Sequence, residues 1–89
     1  MPLISQFYGI LIYLYKELGG HHNAPHIHVK YNEYEASLSL DGKNIINGTL
    51  PPKQMKLVQA WIEIHKDELF AAWYCYNQDG EIIKIKGLE

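Results

Sequence analysis

The sequence predicts an α+β fold in which an antiparallel meander of about four to five strands packs against one long helix in the C-terminal half of the chain. Apolar and polar residues alternate in much of the chain before Pro51, a pattern typical of half-buried strands. After Pro51 the apolar residues recur at helical spacing instead. Because 89 residues supply one hydrophobic core, we expect residues 1–89 to form a single domain.

Composition is typical of a soluble globular domain. Apolar residues make up 47% of the chain and charged residues 20%, and no apolar run is long enough to span a bilayer. The 8 basic residues are all lysines, and the net charge of −2 lacks the positive footprint that nucleic-acid binding needs. The single cysteine, Cys75, excludes an internal disulfide, and no secretory leader opens the sequence. We therefore expect a cytoplasmic protein without a membrane or nucleic-acid partner.

The first predicted strand runs from Phe7 to Lys16 and is rich in aromatic and β-branched residues. Both of its faces are apolar, which predicts a central strand that is covered on both sides. One of the two covering layers could be another molecule. One face consists of Phe7, Leu11, Tyr13 and Tyr15, and the other of Tyr8, Ile10, Ile12 and Leu14.

After a loop from Leu18 to Pro25, two alternating segments predict a hairpin with a defined register. Asn32-Glu33 fits a two-residue turn between them, and a slip of one residue would mix the polar and apolar faces. The attraction between Lys30 and Glu35 favours this register. The predicted pairs are Tyr31 with Tyr34, Lys30 with Glu35, Val29 with Ala36, His28 with Ser37, Ile27 with Leu38, and His26 with Ser39.

The remaining elements are a short strand, a long helix and an edge strand. Asp41-Gly42 signals a second hairpin turn that leads to a strand around residues 44–46. A helix is predicted from about Pro52 to Asn77, because proline is tolerated in a first helical turn and Gly80 stops the pattern. Residues 81–86 alternate again and predict a last edge strand whose lysines oppose aggregation.

His26-Ile27-His28 is the sharpest chemical feature of the sequence. Two histidines at positions i and i+2 of a strand share one face, and His22 in the preceding loop offers a third ligand for a divalent metal such as zinc. Three imidazoles would leave one coordination position for water. The alternative is that these histidines are polar residues of a sheet face that hydrogen-bond to neighbours or meet a partner. The candidate functional face is His22, His26, His28, Glu35, Ser37 and Ser39.

Other chemistry-bearing residues are better explained by packing. Cys75 is predicted to be a small buried residue, and His65 a histidine at the edge of the core between Trp61 and Leu69. Most of the tyrosines and tryptophans fall on the predicted core stripes. No glycine-rich phosphate loop is present, and no catalytic residue or bound organic cofactor is assigned.

The chain resembles a bacterial family of small uncharacterised proteins, the domain of unknown function family 4160. The resemblance covers nearly the full length and is most specific over HNAPHIHVKYNEY, which matches the family pattern H-N-x-P-H-x-H-x-x-Y-x-x-Y. Ala24, Ile27 and Gln6 depart from it, standing where proline, phenylalanine and a basic residue are common. The resemblance implies a gene context similar to toxin–antitoxin pairs and no known activity. The matching positions are His22, Pro25, His26, His28, Tyr31 and Tyr34.

Two hypotheses from different classes follow. The first is a small protein-interaction module, one component of a toxin–antitoxin-like pair, which forms a homo-oligomer, binds a small partner protein encoded nearby, or does both. The second is a metal-dependent hydrolase or nuclease-like toxin that uses His22, His26 and His28 as ligands. The sequence leaves the enzymatic status of the chain open.

Overall fold

The computed structural model describes residues 2–15 and 25–88. Within them, five strands form one antiparallel sheet in the order β1-β2-β3-β4-β5, followed by two helices. The α+β class and the meander are therefore confirmed. The elements are β1 Leu3–Phe7, β2 Ile10–Tyr13, β3 His26–Tyr31, β4 Tyr34–Ser39, β5 Ile45–Gly48, α1 Pro52–Ile64 and α2 Lys66–Asp79.

The prediction of one strand from Phe7 to Lys16 was wrong, because the chain reverses direction at Tyr8-Gly9. Both turn residues have positive φ, 49° and 76°, as a two-residue hairpin turn requires. In β2, Ile10 and Ile12 lie fully buried on the helix side, whereas Leu11 is only partly buried on the other side. One face of this apolar strand thus belongs to the core and the other to the uncovered side of the sheet.

The hairpin of β3 and β4 has the predicted register at all six pairs, from His26 opposite Ser39 to Tyr31 opposite Tyr34. Asn32 in the turn has a φ of 52°, a conformation that asparagine tolerates better than most residues. Ile27 and Val29 are consequently buried against the helices, and the polar residues of β3 point to the opposite face.

The C-terminal half contains two helices where one from Pro52 to Asn77 was predicted. The chain leaves helical geometry at His65, with φ −109° and ψ 24°, and resumes at Lys66. The imidazole lies 5.6 Å from the Trp61 ring, and its Nδ1 is 2.7 Å from a carboxylate oxygen of Glu68. No glycine or proline marks this break, so sequence pattern alone gives no sign of it. The predicted end at Gly80 is confirmed, since Gly80 caps α2 in the left-handed conformation.

The core lies between one face of the sheet and the two helices. Phe7 packs against Trp61 with ring centroids 5.4 Å apart, and Trp61 is fully buried. His65 lies at the core edge with 14% of its side chain exposed, as predicted, whereas Cys75 is only partly buried. Among the described residues, no helix is long and apolar enough to cross a membrane.

Residues 81–86 do not form the predicted edge strand, although they run beside β1. The Ile85 amide donates a hydrogen bond to the Ile4 carbonyl at 2.8 Å, and the Trp61 indole donates one to the Lys86 carbonyl at 2.9 Å. Gly87 lies directly against the Gln6 carbonyl. The segment is thus held by isolated contacts rather than by a regular ladder, and it covers the outer edge of β1.

We expect Gly48→Ala to destabilise the fold by about 2 kcal/mol or more. Gly48 has a φ of 74°, and an added Cβ would overlap the carbonyl oxygen of Glu35 on β4. Gly80→Ala is the matched control, because Gly80 has a φ of 71° but its Cβ would meet open space. Gly80→Ala should lower the free energy of unfolding by only about 1 kcal/mol, because alanine is strained in the left-handed conformation. Equal losses for the two variants in urea unfolding would contradict the clash.

Candidate functional site

The face of the sheet opposite the helices carries polar and aromatic side chains that remain partly or fully accessible. We call this surface the open face. Strand register arranges its central residues in two rows that cross the sheet. The first row is Tyr13, His28, Ser37 and Asn47, and the second row is Gln6, Leu11, Lys30 and Glu35.

A pocket of about 250 Å³ lies between the two rows. Alternation explains its floor: Val29 and Ala36 point their side chains into the core, and Gly48 has none, so little side chain fills the space above them. Residues two apart on a strand are about 6.6–6.8 Å apart, which sets the distance between the rows. The lining residues are Tyr15, His28, Val29, Lys30, Glu35, Ala36, Ser37, Asn47 and Gly48.

His28 is held in place at one wall of this pocket. The Ser37 hydroxyl lies 3.1 Å from its Nδ1, and the Tyr15 ring meets the imidazole edge-on with centroids 3.6 Å apart. The His26 ring lies next along the strand, with its centroid 5.0 Å from that of His28. Contacts on several sides fix the orientation of the imidazole, as catalytic and ligand-binding histidines require.

Lys30 is held at the opposite wall by two attractive contacts. Its ammonium lies 3.4 Å from a carboxylate oxygen of Glu35 and 5.5 Å from the centroid of the Tyr13 ring. The lysine side chain is 38% exposed and the glutamate side chain 68%, so solvent screens the ion pair and its contribution to stability is small. Its main effect is to place one ammonium group beside the pocket.

Comparison with known proteins gives a family and no activity. Residues 9–74 match the family described as Domain of unknown function (DUF4160), about three quarters of the chain. The chain belongs to this family. The matched span includes the nine residues that line the pocket and most of α2. No curated protein and no solved structure matches the chain.

Of the six residues predicted for the functional face of this DUF4160 chain, three meet in the pocket: His28, Glu35 and Ser37. His26 lies beside them, and His22 lies outside the described residues. With His22 not described, no group of three histidine, cysteine, aspartate or glutamate side chains that could hold a metal occurs in the described part of the chain.

Ser39 serves the turn between β4 and β5 instead of the pocket. Its hydroxyl donates a hydrogen bond to Asp41 and accepts one from the Asn44 amide at 3.1 Å. Asp41 also accepts a hydrogen bond from the Lys43 amide at 2.9 Å. The hydroxyl is thus used in fixing the turn that leads into β5.

Sequence reasoning missed Tyr15, Lys30 and Asn47 as pocket residues. Alternation places Lys30, two residues after His28, on the same face of β3, so this position follows from the predicted register. Tyr15 lies beyond the end of β2, whereas the sequence predicts it within one unbroken strand. Asn47 in β5 lies opposite Ser37. The strand predicted around residues 44–46 ends before it, whereas β5 spans Ile45–Gly48.

The Asp41 carboxylate should stabilise the fold at neutral pH and lose this effect in acid. The hydrogen bond from Ser39, and then that from the Lys43 amide, hold the pKa of Asp41 below its usual range. A carboxylate whose pKa is lower in the folded state than in the unfolded state stabilises the fold at pH values above its unfolded-state pKa of about 4. That stabilisation is lost as the pH falls through the folded-state pKa. Melting temperatures of the wild type and Asp41→Asn should therefore differ at neutral pH and converge in acid. A pH-independent difference would contradict this assignment.

Proposed function

We propose that the domain is a protein-interaction module that pairs with a second copy of itself along the outer edge of β5. The observation that carries the proposal is that, in the described part of the chain, one edge strand of the sheet is covered and the other is not. The β1 edge is covered by the segment around Ile85, whereas β5 ends the sheet as the structure describes it. An uncovered strand edge offers unpaired backbone groups to another chain.

The residues of β5 favour pairing with another strand and include none of the types that commonly prevent it. All four residues of the strand are exposed, including Ile45 at 51% and Ile46 at 54%. Edge strands that stay unpaired are commonly protected by charged residues or proline, and β5 contains neither. Burial of two isoleucines together with new backbone hydrogen bonds would stabilise an added strand.

A second copy fits this edge because a neutral strand can pair antiparallel with itself around a two-fold axis. In that arrangement the start of β5 in one copy lies beside the end of β5 in the other. Lys43 precedes β5, and Glu35 lies next to its end, where the Thr49 amide donates to the Glu35 carbonyl. Lys43 of one copy would then lie near the end of the edge where the other copy carries Glu35, one strand inside the interface.

The same edge is suited to a small partner protein encoded nearby, as a component of a toxin–antitoxin-like pair would have. Such a partner would compete with the second copy for β5. The single cysteine, Cys75, fits a reducing compartment, and we propose that the pairing takes place in the cytoplasm.

Ile46→Lys should convert the wild-type dimer into a monomer, because two lysines would meet across the paired strands. Light scattering over a concentration series measures this change. Ile82→Lys is the matched control: Ile82 is 50% exposed, close to the exposure of Ile46, but lies outside β5. The control should remain dimeric. A monomeric wild type, or equal effects of the two substitutions, would overturn the proposal.

A metal-dependent hydrolase or nuclease-like toxin is the second candidate, and the arrangement of His26 and His28 favours it. Their ring centroids are 5.0 Å apart. Two imidazoles on one tetrahedral zinc, with Zn–N distances of about 2.0–2.1 Å, place their centroids about 5 Å apart. The Ser37 hydroxyl at Nδ1 of His28 would orient that ring as a second-sphere partner does. His22 would supply the third donor, and a metal-activated water would carry out the hydrolysis.

Isothermal titration of untagged protein with zinc tests the metal candidate. We expect one equivalent to bind, and His26→Gln to weaken the affinity by at least about tenfold through loss of a ligand. His65→Gln is the control, since His65 lies at the junction of the two helices and contacts Glu68. Failure of the wild type to bind stoichiometric zinc would eliminate this candidate.

A further inference from the structure

We infer that the pocket between His28 and Lys30 binds a small phosphate monoester. The inference goes beyond pairing along β5, since it assigns a ligand to the open face. It also requires no metal.

Three side chains around the pocket can each donate a hydrogen bond to a ligand. Lys30 offers an ammonium, Asn47 an amide N–H and Ser37 a hydroxyl, and they come from three neighbouring strands. Among the lining residues, Glu35 alone carries a carboxylate, and Lys30 already lies 3.4 Å from it. A ligand rich in acceptor oxygens therefore matches the pocket better than a cationic ligand does.

The Lys30–Glu35 pair discriminates between kinds of anion. A carboxylate ligand would bring Lys30 a single charge, as Glu35 already does, and would gain little by competing with it. A phosphate monoester carries about −1.5 to −2 charges at neutral pH and three strong acceptor oxygens. It can attract Lys30 more strongly than Glu35 does while its other oxygens accept hydrogen bonds from the opposite row.

The pocket has room for a phosphate group between the two rows. The backbone positions of the rows are about 6.6–6.8 Å apart, and Lys30, Ser37 and Asn47 line the space between them. The pocket of about 250 Å³ exceeds the volume of one phosphate group, which leaves space for a small organic part. A long nucleic acid is disfavoured by the net charge of −2.

Binding is measured by titrating full-length, isotope-labelled protein with glycerol 3-phosphate and following backbone amide shifts by NMR. We expect saturable shifts centred on His28, Ser37 and Gly48. Inorganic phosphate should bind at the same residues more weakly, and sodium acetate at equal ionic strength should cause no saturable change. The amides of α2 serve as an internal reference remote from the pocket.

Two substitutions in the ion pair should act in opposite directions. Lys30→Gln should weaken glycerol 3-phosphate binding by about tenfold or more, because it removes a charge-assisted hydrogen bond. Glu35→Gln should strengthen binding several-fold, because Lys30 loses its competing carboxylate. A purely structural role of the pair would weaken binding in both variants. Lys84→Gln is the control for net charge, since Lys84 is exposed and outside the pocket.

Asn47→Asp tests the other row of the pocket and leaves both residues of the ion pair in place. Asn47 is exposed, so the substitution should leave the fold intact, and its negative charge should repel phosphate. Absence of saturable shifts with glycerol 3-phosphate, equal binding of acetate, or unchanged affinity in both Lys30→Gln and Asn47→Asp would overturn the inference. The Ile46→Lys variant, expected to be monomeric, retains every lining residue, so saturable shifts in this variant would show that phosphate binding does not require β5 pairing.

Discussion

The register of the β3–β4 hairpin is the constraint on which the rest of the structure depends. Side chains alternate along a strand, so a slip of one residue would turn Ile27 and Val29 toward solvent and drive His28 and Lys30 into the core. The two-residue turn at Asn32-Glu33 and the burial of the isoleucine and valine oppose that slip together. The open face, its two rows and the pocket between them all follow from this pairing.

One-sided burial of the sheet explains the pairs of polar side chains on the open face. The helices pack on the side that carries Ile12 and Leu38, so the apolar side chains of the sheet are buried on that side. On the other side, partly buried polar groups need partners, and neighbouring strands supply them as Ser37 for His28 and Glu35 for Lys30. These contacts order the side chains, so a ligand would meet donors that are already positioned.

Sequence predicted the parts of this protein in which local pattern and tertiary packing agree. The β3–β4 register, the stop at Gly80 and three pocket residues could be derived from alternation and turn chemistry. The hairpin at Tyr8-Gly9 could not, since Phe7 and the residues from Ile10 to Tyr15 are apolar or aromatic and resemble one continuous strand. The break at His65, where the imidazole contacts Trp61 and Glu68, could not be predicted either, because neither glycine nor proline marks it and the helical period continues across it. Asn47 was missed because the strand predicted around residues 44–46 ends before it, whereas β5 spans Ile45–Gly48.

The two proposed surfaces meet at the end of β5, so occupation of one would affect the other. Asn47 and Gly48 line the pocket and also belong to the strand proposed to pair with a second copy. A strand fixed by pairing would hold the Asn47 amide in place before a ligand arrives, which reduces the entropy lost on binding. Linkage then requires the reverse effect, with a phosphate ligand strengthening the pairing by the same factor. If both proposals hold, a ligand in this pocket would regulate whether a second chain occupies the β5 edge.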